Sequence, residues 1–369
     1  MAHFRSLNII SYNAFMRPFG ITMRGNDRKW ERCRELVATL SRREHAYDFV
    51  CLQELFATLD GGRVKHVCDE LRAAGFCSVA TQNSAASPHS AVPLVHAPVD
   101  SGLLIASRLP IVEVQFHEFE ATGTFVEFYV GKGILFTKID MRRGATAATA
   151  AAATMPPPLD SECLFLFNTH LCAERHSTRI AQLQEVDAFV RRCAFAGREA
   201  RGAIVLCGDF NIALAAATDD VGDGYDGGGG RRSGPLAARI FPFVVAACIS
   251  SSDAAALEAH ALRRFAGSLD LECGLEIDES TASPEMRSSD ATFGRVRDPF
   301  YHGTQRRPEA RRIDYVLTRG VARRRDHIDP MRATASNGGS GSPQPYQTLS
   351  DHSAVVLNFC VYGSAGATV

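Results

Sequence analysis

The chain has 369 residues, 46% of them apolar, and a formal net charge of −1. That size and composition suffice for a large buried core, while the balanced charge supplies no overall basic field of the kind that draws a protein to nucleic acid. The apolar run at 241–249 is far too short to cross a membrane, and the eleven cysteines show no Cys-x-x-Cys spacing, which argues against a zinc module.

Residues 7–11 read as a first strand ending at Tyr12-Asn13, reached from Met1-Ala2-His3-Phe4-Arg5 with no apolar secretory segment between. Residues 28–45 carry Trp30, Cys33, Val37 and Leu40 at helical spacing, so an amphipathic helix with Trp30 on its buried face is expected. A strand at 48–52 and a helix at 64–74 closed by Gly75 follow. Strands are then expected at 101–106, 111–119 and 133–141, with Arg108-Leu109-Pro110 as the turn between two of them. The run 163–167 leads into Asn168-Thr169-His170 and a helix at 175–195. A strand at 203–209, a mixed segment to about 261, and strands at 313–318 and 353–361 complete the chain. Alternating α and β at first, and β-rich segments at the end of each half, predict two packed mixed sheets flanked by helices.

Three low-complexity inserts, at about 144–158, 218–234 and 333–345, hold too little apolar surface to order themselves and are expected as surface loops. The basic runs Arg231-Arg232, Arg306-Arg307, Arg311-Arg312 and Arg323-Arg324-Arg325 read mainly as solvated loops, with a face for anionic lipid as the lesser reading. Cys51, Cys163, Cys207, Cys248 and Cys360 sit inside apolar runs, as free thiols do in a reducing compartment. A cytoplasmic chain that meets membranes only peripherally is the expectation.

The chemistry lies where the apolar runs stop. They close on Leu52-Gln53-Glu54, Asn168-Thr169-His170, Gly208-Asp209-Phe210-Asn211, Arg312-Ile313-Asp314-Tyr315 and Ser350-Asp351-His352. Strand ends deliver such groups to a common edge, and five clusters of carboxylate, amide and imidazole fit one divalent-metal site for phosphate ester chemistry. That chemistry needs a cation for the developing charge, a base for water and an acid for the leaving oxygen. Glu54 ends an apolar strand as a metal ligand would, with the amide oxygen of Asn13 beside it. Asp209 and Asn211 are two apart, which in an extended segment puts both on one side, and Gly208 would let the backbone approach a ligand. His352 and His170 supply imidazole, the side chain whose ordinary pKa lies nearest neutrality and which suits acid–base work. Lys132, between two glycines, is either a point charge for a phosphate or head group, or a solvated hairpin lysine.

In this order, Asn13, Glu54 and the four later clusters resemble the endonuclease/exonuclease/phosphatase superfamily over roughly residues 5–361. Within it the chain is most similar to the neutral sphingomyelinases, through Asn168-Thr169-His170-Leu171-Cys172-Ala173-Glu174, the helix with Arg179 and Gln182-Leu183, and Gly131-Lys132-Gly133. The resemblance implies a deoxyribonuclease-like four-layer α/β/β/α sandwich forming one catalytic domain over residues 1–369, with Mg2+ as cofactor and Mn2+ as the alternative. It implies Glu54, Asn13 and Asp351 at the metal, and Asp209 and Asn211 positioning water and phosphate. His352 would be the base, oriented by Asp314, and His170 the acid, with the two imidazole roles open to exchange. Lys132 and Asn168 would meet the substrate.

The implied activity is phospholipase-C-type cleavage of sphingomyelin or a related phosphosphingolipid to ceramide and a phospho-head group. A nuclease or an inositol-phosphate phosphatase of the same superfamily is the alternative. An inactive binding module is disfavoured, because Asn13, Glu54, His170, Asp209, Asn211, Asp314 and His352 are all present. The expected partner is a phospholipid at a membrane surface rather than nucleic acid. Docking would use the loops around Ile21-Thr22-Met23-Arg24 and Pro299-Phe300-Tyr301.

Overall fold

The structure, a computed structural model, describes residues 5–18, 28–42, 47–57, 62–85, 99–123, 125–142, 159–213, 251–273, 314–329 and 354–361. The first half holds β1 (Arg5–Met16), α1 (Lys29–Ser41), β2 (Phe49–Leu55), α2 (Gly62–Ala73), β3 (Ser78–Thr81), β4 (Leu104–Ser107) and β5 (Ile111–Glu118). Then come α3 (Phe125–Phe128), β6 (Gly133–Asp140), β7 (Cys163–His170), α4 (His176–Ala194), the short hairpin β8 (Phe195–Ala196) and β9 (Glu199–Ala200), and β10 (Ala203–Asp209). The remainder is α5 (Ser251–Ser268), β11 (Glu272–Cys273), β12 (Asp314–Arg319), β13 (Val321–Asp329) and β14 (Ala354–Val361).

The strands form two six-stranded mixed sheets, ordered β13-β14-β1-β2-β4-β3 and β11-β12-β10-β7-β6-β5. Each has one parallel pair inside it. β1 and β2 are joined across α1, and β7 and β10 across α4; the other pairings are antiparallel. Alternation along the strands then decides the layers. Ile10, Tyr12, Val50 and Leu52 turn outward onto Cys33, Leu36, Val67 and Leu71 of α1 and α2. Phe165, Phe167, Ile204 and Leu206 turn outward onto Val186 and Phe189 of α4 and Leu262 and Phe265 of α5. The intervening residues (Leu7, Ile9, Phe49, Cys51, Leu164, Leu166, Val205 and Cys207) meet between the sheets. Each such fully buried Leu, Ile, Val or Phe contributes about 1.5–3 kcal/mol. Helix, sheet, sheet and helix stack as the expected four-layer sandwich.

The structure also departs from the expected elements. α5 replaces the second part of the "mixed segment", and β13 contains Arg323-Arg324-Arg325, so that run lies in an edge strand and not in a loop. Trp30 is 40% exposed instead of buried. It sits in the first turn of α1, where its ring meets His66 and Arg34 while Cys33, Leu36, Val37 and Leu40 face the sheet. The three inserts lie outside the described residues, as do the docking loops at 21–24 and 299–301 and the runs at 231–232, 306–307 and 311–312. Among the described residues no helix is long and apolar enough to cross a membrane.

Candidate active site

Along the inter-sheet face of β7 the pattern runs Leu164, Leu166, Asn168, His170, so an apolar core gives way to polar groups toward the strand's C-terminal end. The same change occurs on β1 after Ile9, on β2 at Gln53, and on β10 at Asp209. Parallel pairing aligns these ends: Asn13 lies opposite Gln53, and Asp209 opposite His170, while antiparallel β12 brings Asp314 opposite Asp209. Two sheets therefore contribute to one polar edge.

Its floor is a layer of amides. Gln53 Nε2 donates to Asn168 Oδ1 at 2.7 Å and to Ser11 Oγ at 3.2 Å, and Asn168 Nδ2 donates to the carbonyls of Leu52 at 2.8 Å and Leu104 at 3.1 Å. Asn168 is completely buried. It ties the sheets together and does not face outward as the substrate contact expected of it. Gln53, not singled out from sequence, is its partner.

Above that floor, Asn13 Nδ2 donates to Glu54 Oε1 and to Asp209 Oδ2, each at 3.0 Å. His170 Nε2 lies 3.6 Å from Asp209 Oδ2 and 3.9 Å from Glu54 Oε1. Ligand atoms of Glu54, His170 and Asp209 all fall within 4.8 Å of one another. Mg2+ takes one or two carboxylates and completes its shell with water, so the two carboxylates at this point fit a hard divalent cation. Asn13 enters differently from expectation. Its Oδ1 accepts the Phe15 N–H at 3.0 Å, leaving nitrogen, not oxygen, toward the carboxylates.

The backbone at this edge is strained. Phe15, Glu54 and Asn211 all have left-handed φ values near +50° (51°, 52° and 52°), a conformation that costs non-glycine residues energy and concentrates at functional sites. Asn211 reaches Asp209 by this turn and not by extended alternation: its N–H donates to Asp209 Oδ1 at 2.9 Å, and its Nδ2 donates to the Leu171 carbonyl at 3.1 Å. Gly208 has φ +143°, and a Cβ there would lie 2.0 Å from Thr169 O. The glycine admits strand β7, not a ligand.

Lys132 is 9% exposed and far from a solvated hairpin lysine. Its Nζ lies 2.9 Å from Glu127 Oε1, 2.8 Å from Leu171 O and 3.3 Å from His170 Nε2. Three partners match its three N–H groups, and since an ammonium cannot accept, Nε2 of His170 is the acceptor in that contact. Glu127 was not anticipated. An acid five residues before Lys132 is the only sequence signal, and the turn after α3 is what folds it back. Burial pushes the Glu127 carboxyl up, but the Lys132 charge and hydrogen bonds from Cys172, Lys132 and Ala173 outweigh it and hold the group below its ordinary value.

Asp314 is buried at the start of β12. Asp351 and His352 lie outside the described residues.

Comparison with known proteins gives matches at the level of family, sequence and fold. The family model described as "Endonuclease/Exonuclease/phosphatase family" matches residues 10–352. A sphingomyelinase of Dictyostelium discoideum is 26% identical over 202 residues, a match spanning 48% of this chain and 40% of that protein's length. The sphingomyelinase C structure from Streptomyces griseocarneus superposes with a TM-score of 0.54 at 17% identity, covering 96% of this chain and 99% of that one. A double-mutant Staphylococcus aureus beta toxin with bound magnesium ions gives 0.52 at 13% identity, covering 97% and 100%. The two structures share the fold.

Proposed function

Because the chain belongs to the endonuclease/exonuclease/phosphatase family, we propose that it is a Mg2+-dependent phosphodiesterase of the phospholipase C type, acting on sphingomyelin or a related phosphosphingolipid. The observation that carries the reading is the meeting of Glu54, His170 and Asp209 ligand atoms within 4.8 Å at the edge both sheets share. The substrate class rests on the likeness to the two sphingomyelinases.

A bound divalent cation would neutralise charge developing on the phosphate. Glu54 and Asp209 would hold it, with Asn13 fixing the distance between their carboxylates through two N–H donors. Lys132 already points at His170 Nε2, so an anionic phosphate oxygen arriving there would take over that donor while Glu127 and Leu171 O keep the ammonium in place. His170, 3% exposed, would move the proton between the reacting oxygens and its Nε2. Asn211, held by Leu171 O, would donate to the phosphate. His352, with Asp314 as its orienting carboxylate, remains the proposed partner imidazole and Asp351 a further group at the metal.

The test is metal-titrated hydrolysis with a Glu54→Gln variant. Turnover should vanish on chelation in the parent and return with Mg2+. The variant should fold and yet show at least a 10²-fold loss, since it lacks the charged ligand. Near-parental turnover by Glu54→Gln at the same Mg2+ concentration would refute the assignment.

A further inference from the structure

A device repeats on the two sheets. Each parallel strand pair is spanned by a crossover helix, and the fourth residue of each helix is a buried arginine: Arg32 in α1, 0% exposed, and Arg179 in α4, 5% exposed. Arg32 donates from Nη2 to the Phe15 carbonyl at 2.8 Å and from Nη1 to the Ala14 carbonyl at 3.3 Å. Arg179 donates from Nη1 to the Cys172 carbonyl at 2.9 Å. Phe15 stands two residues beyond Asn13, and Cys172 two residues beyond His170. Each guanidinium thus grips the carbonyl two positions after a site side chain, from the same turn of equivalent helices.

We infer that Arg32 and Arg179 are equivalent positioning residues, one for each half of the site. Desolvating a guanidinium is costly, so its donors must be met by well-placed acceptors, and those acceptors become fixed in return. Arg32 fixes the left-handed turn at Phe15 in which Asn13 Oδ1 receives the Phe15 N–H. That bond orients the amide so that Nδ2 bridges Glu54 and Asp209. Arg179 is itself anchored by Glu258 Oε1 on α5 at 2.5 Å and contacts His176 Nδ1 at 3.1 Å. It fixes the turn after β7, where Cys172 N–H also donates to Gln182 Oε1 at 2.7 Å. The neighbouring Leu171 carbonyl receives both Lys132 Nζ and Asn211 Nδ2. Arg32 therefore serves the cation and Arg179 serves the phosphate, an assignment that rests on the metal-phosphodiester reading above.

The experiment compares Arg32→Met and Arg179→Met, each with its Lys counterpart, in three measurements. These are thermal midpoint, Mn2+ affinity by electron paramagnetic resonance without substrate, and kcat and KM on bis(p-nitrophenyl) phosphate at saturating metal. Arg32→Met should weaken Mn2+ binding roughly 10–100-fold, the usual effect of losing a group that orients a ligand, with kcat at saturating metal within a few-fold of the parent. Arg179→Met should leave Mn2+ affinity within a few-fold and lower kcat/KM roughly 10–100-fold. The Lys variants, whose ammonium can still meet one carbonyl, should show the same split in smaller measure, and they carry the test if a Met variant does not fold. A change in thermal midpoint alone, or equal losses of metal affinity and kcat/KM in both variants, would overturn the inference. If the parent binds Mn2+ but hydrolyses no phosphodiester, the functional reading falls, and the Mn2+ measurements still decide whether Arg32 and Arg179 differ as stated.

Discussion

Glu127 shows how a single residue can shape the site without belonging to any recognisable motif. Its carboxyl is held below the ordinary 4.5 because Lys132 and its hydrogen bonds outweigh burial. A depressed folded value means the pair's stabilisation is fully present above that ordinary value and is lost as pH falls through the folded one. Glu127→Gln mimics the protonated acid, so its thermal midpoint should lie below the parent's near neutrality. The gap should close in acid below the ordinary glutamate value. A gap of constant size across that range would show that the carboxylate charge is not what matters. The pairing itself was beyond reading from the sequence, because it depends on a four-residue helix and a turn bringing positions 127 and 132 to one buried point. By contrast His170 and Asp209 were legible, since each ends an apolar run whose alternation sends it to the shared edge; Glu54 was legible as the end of such a run, but it follows Gln53 on the inter-sheet face and has left-handed backbone at φ 52°.

At the scale of elements, periodicity located the central strands and the helices packed on them, with β10 found to the residue. Two elements escaped it. α5 begins in a stretch of serine and alanine with a weak apolar signal, and β13 is an edge strand carrying three consecutive arginines. The local geometry of Asn211, not its proposed role, differs from expectation: residues two apart suggest an extended strand, but β10 stops at Asp209 and a left-handed turn does the bringing together. Gly208 belongs to this scale too, because it sets how closely β10 can lie on β7. Gly208→Ala should destabilise the protein by about 1–3 kcal/mol or more, the range for forcing atoms into a filled space, read as a lowered midpoint in denaturant. Unchanged stability would mean that β10 can move off Thr169 freely, and that the alignment of Asp209 with His170 is not fixed by this contact.

For the whole molecule, the important fact is that two sheets, each with a parallel pair and a crossover helix, place their polar strand ends together. The inter-sheet core beneath is apolar and closed by the Gln53–Asn168 amide layer, which joins the sheets at the base of the site. This explains why residues as far apart in sequence as Asn13 and Asp209 share a hydrogen bond. The substrate proposed to bind at that edge is a phosphosphingolipid. The direct measurement is a panel of substrates given to the purified protein with and without Mg2+: sphingomyelin in mixed micelles, an inositol phosphosphingolipid, plasmid DNA and an inositol polyphosphate. The expected result is Mg2+-dependent release of ceramide and a phospho-head group from a sphingolipid, faster than any turnover of DNA or inositol phosphate. Cleavage of DNA or inositol phosphate with no phosphosphingolipid hydrolysed would contradict it.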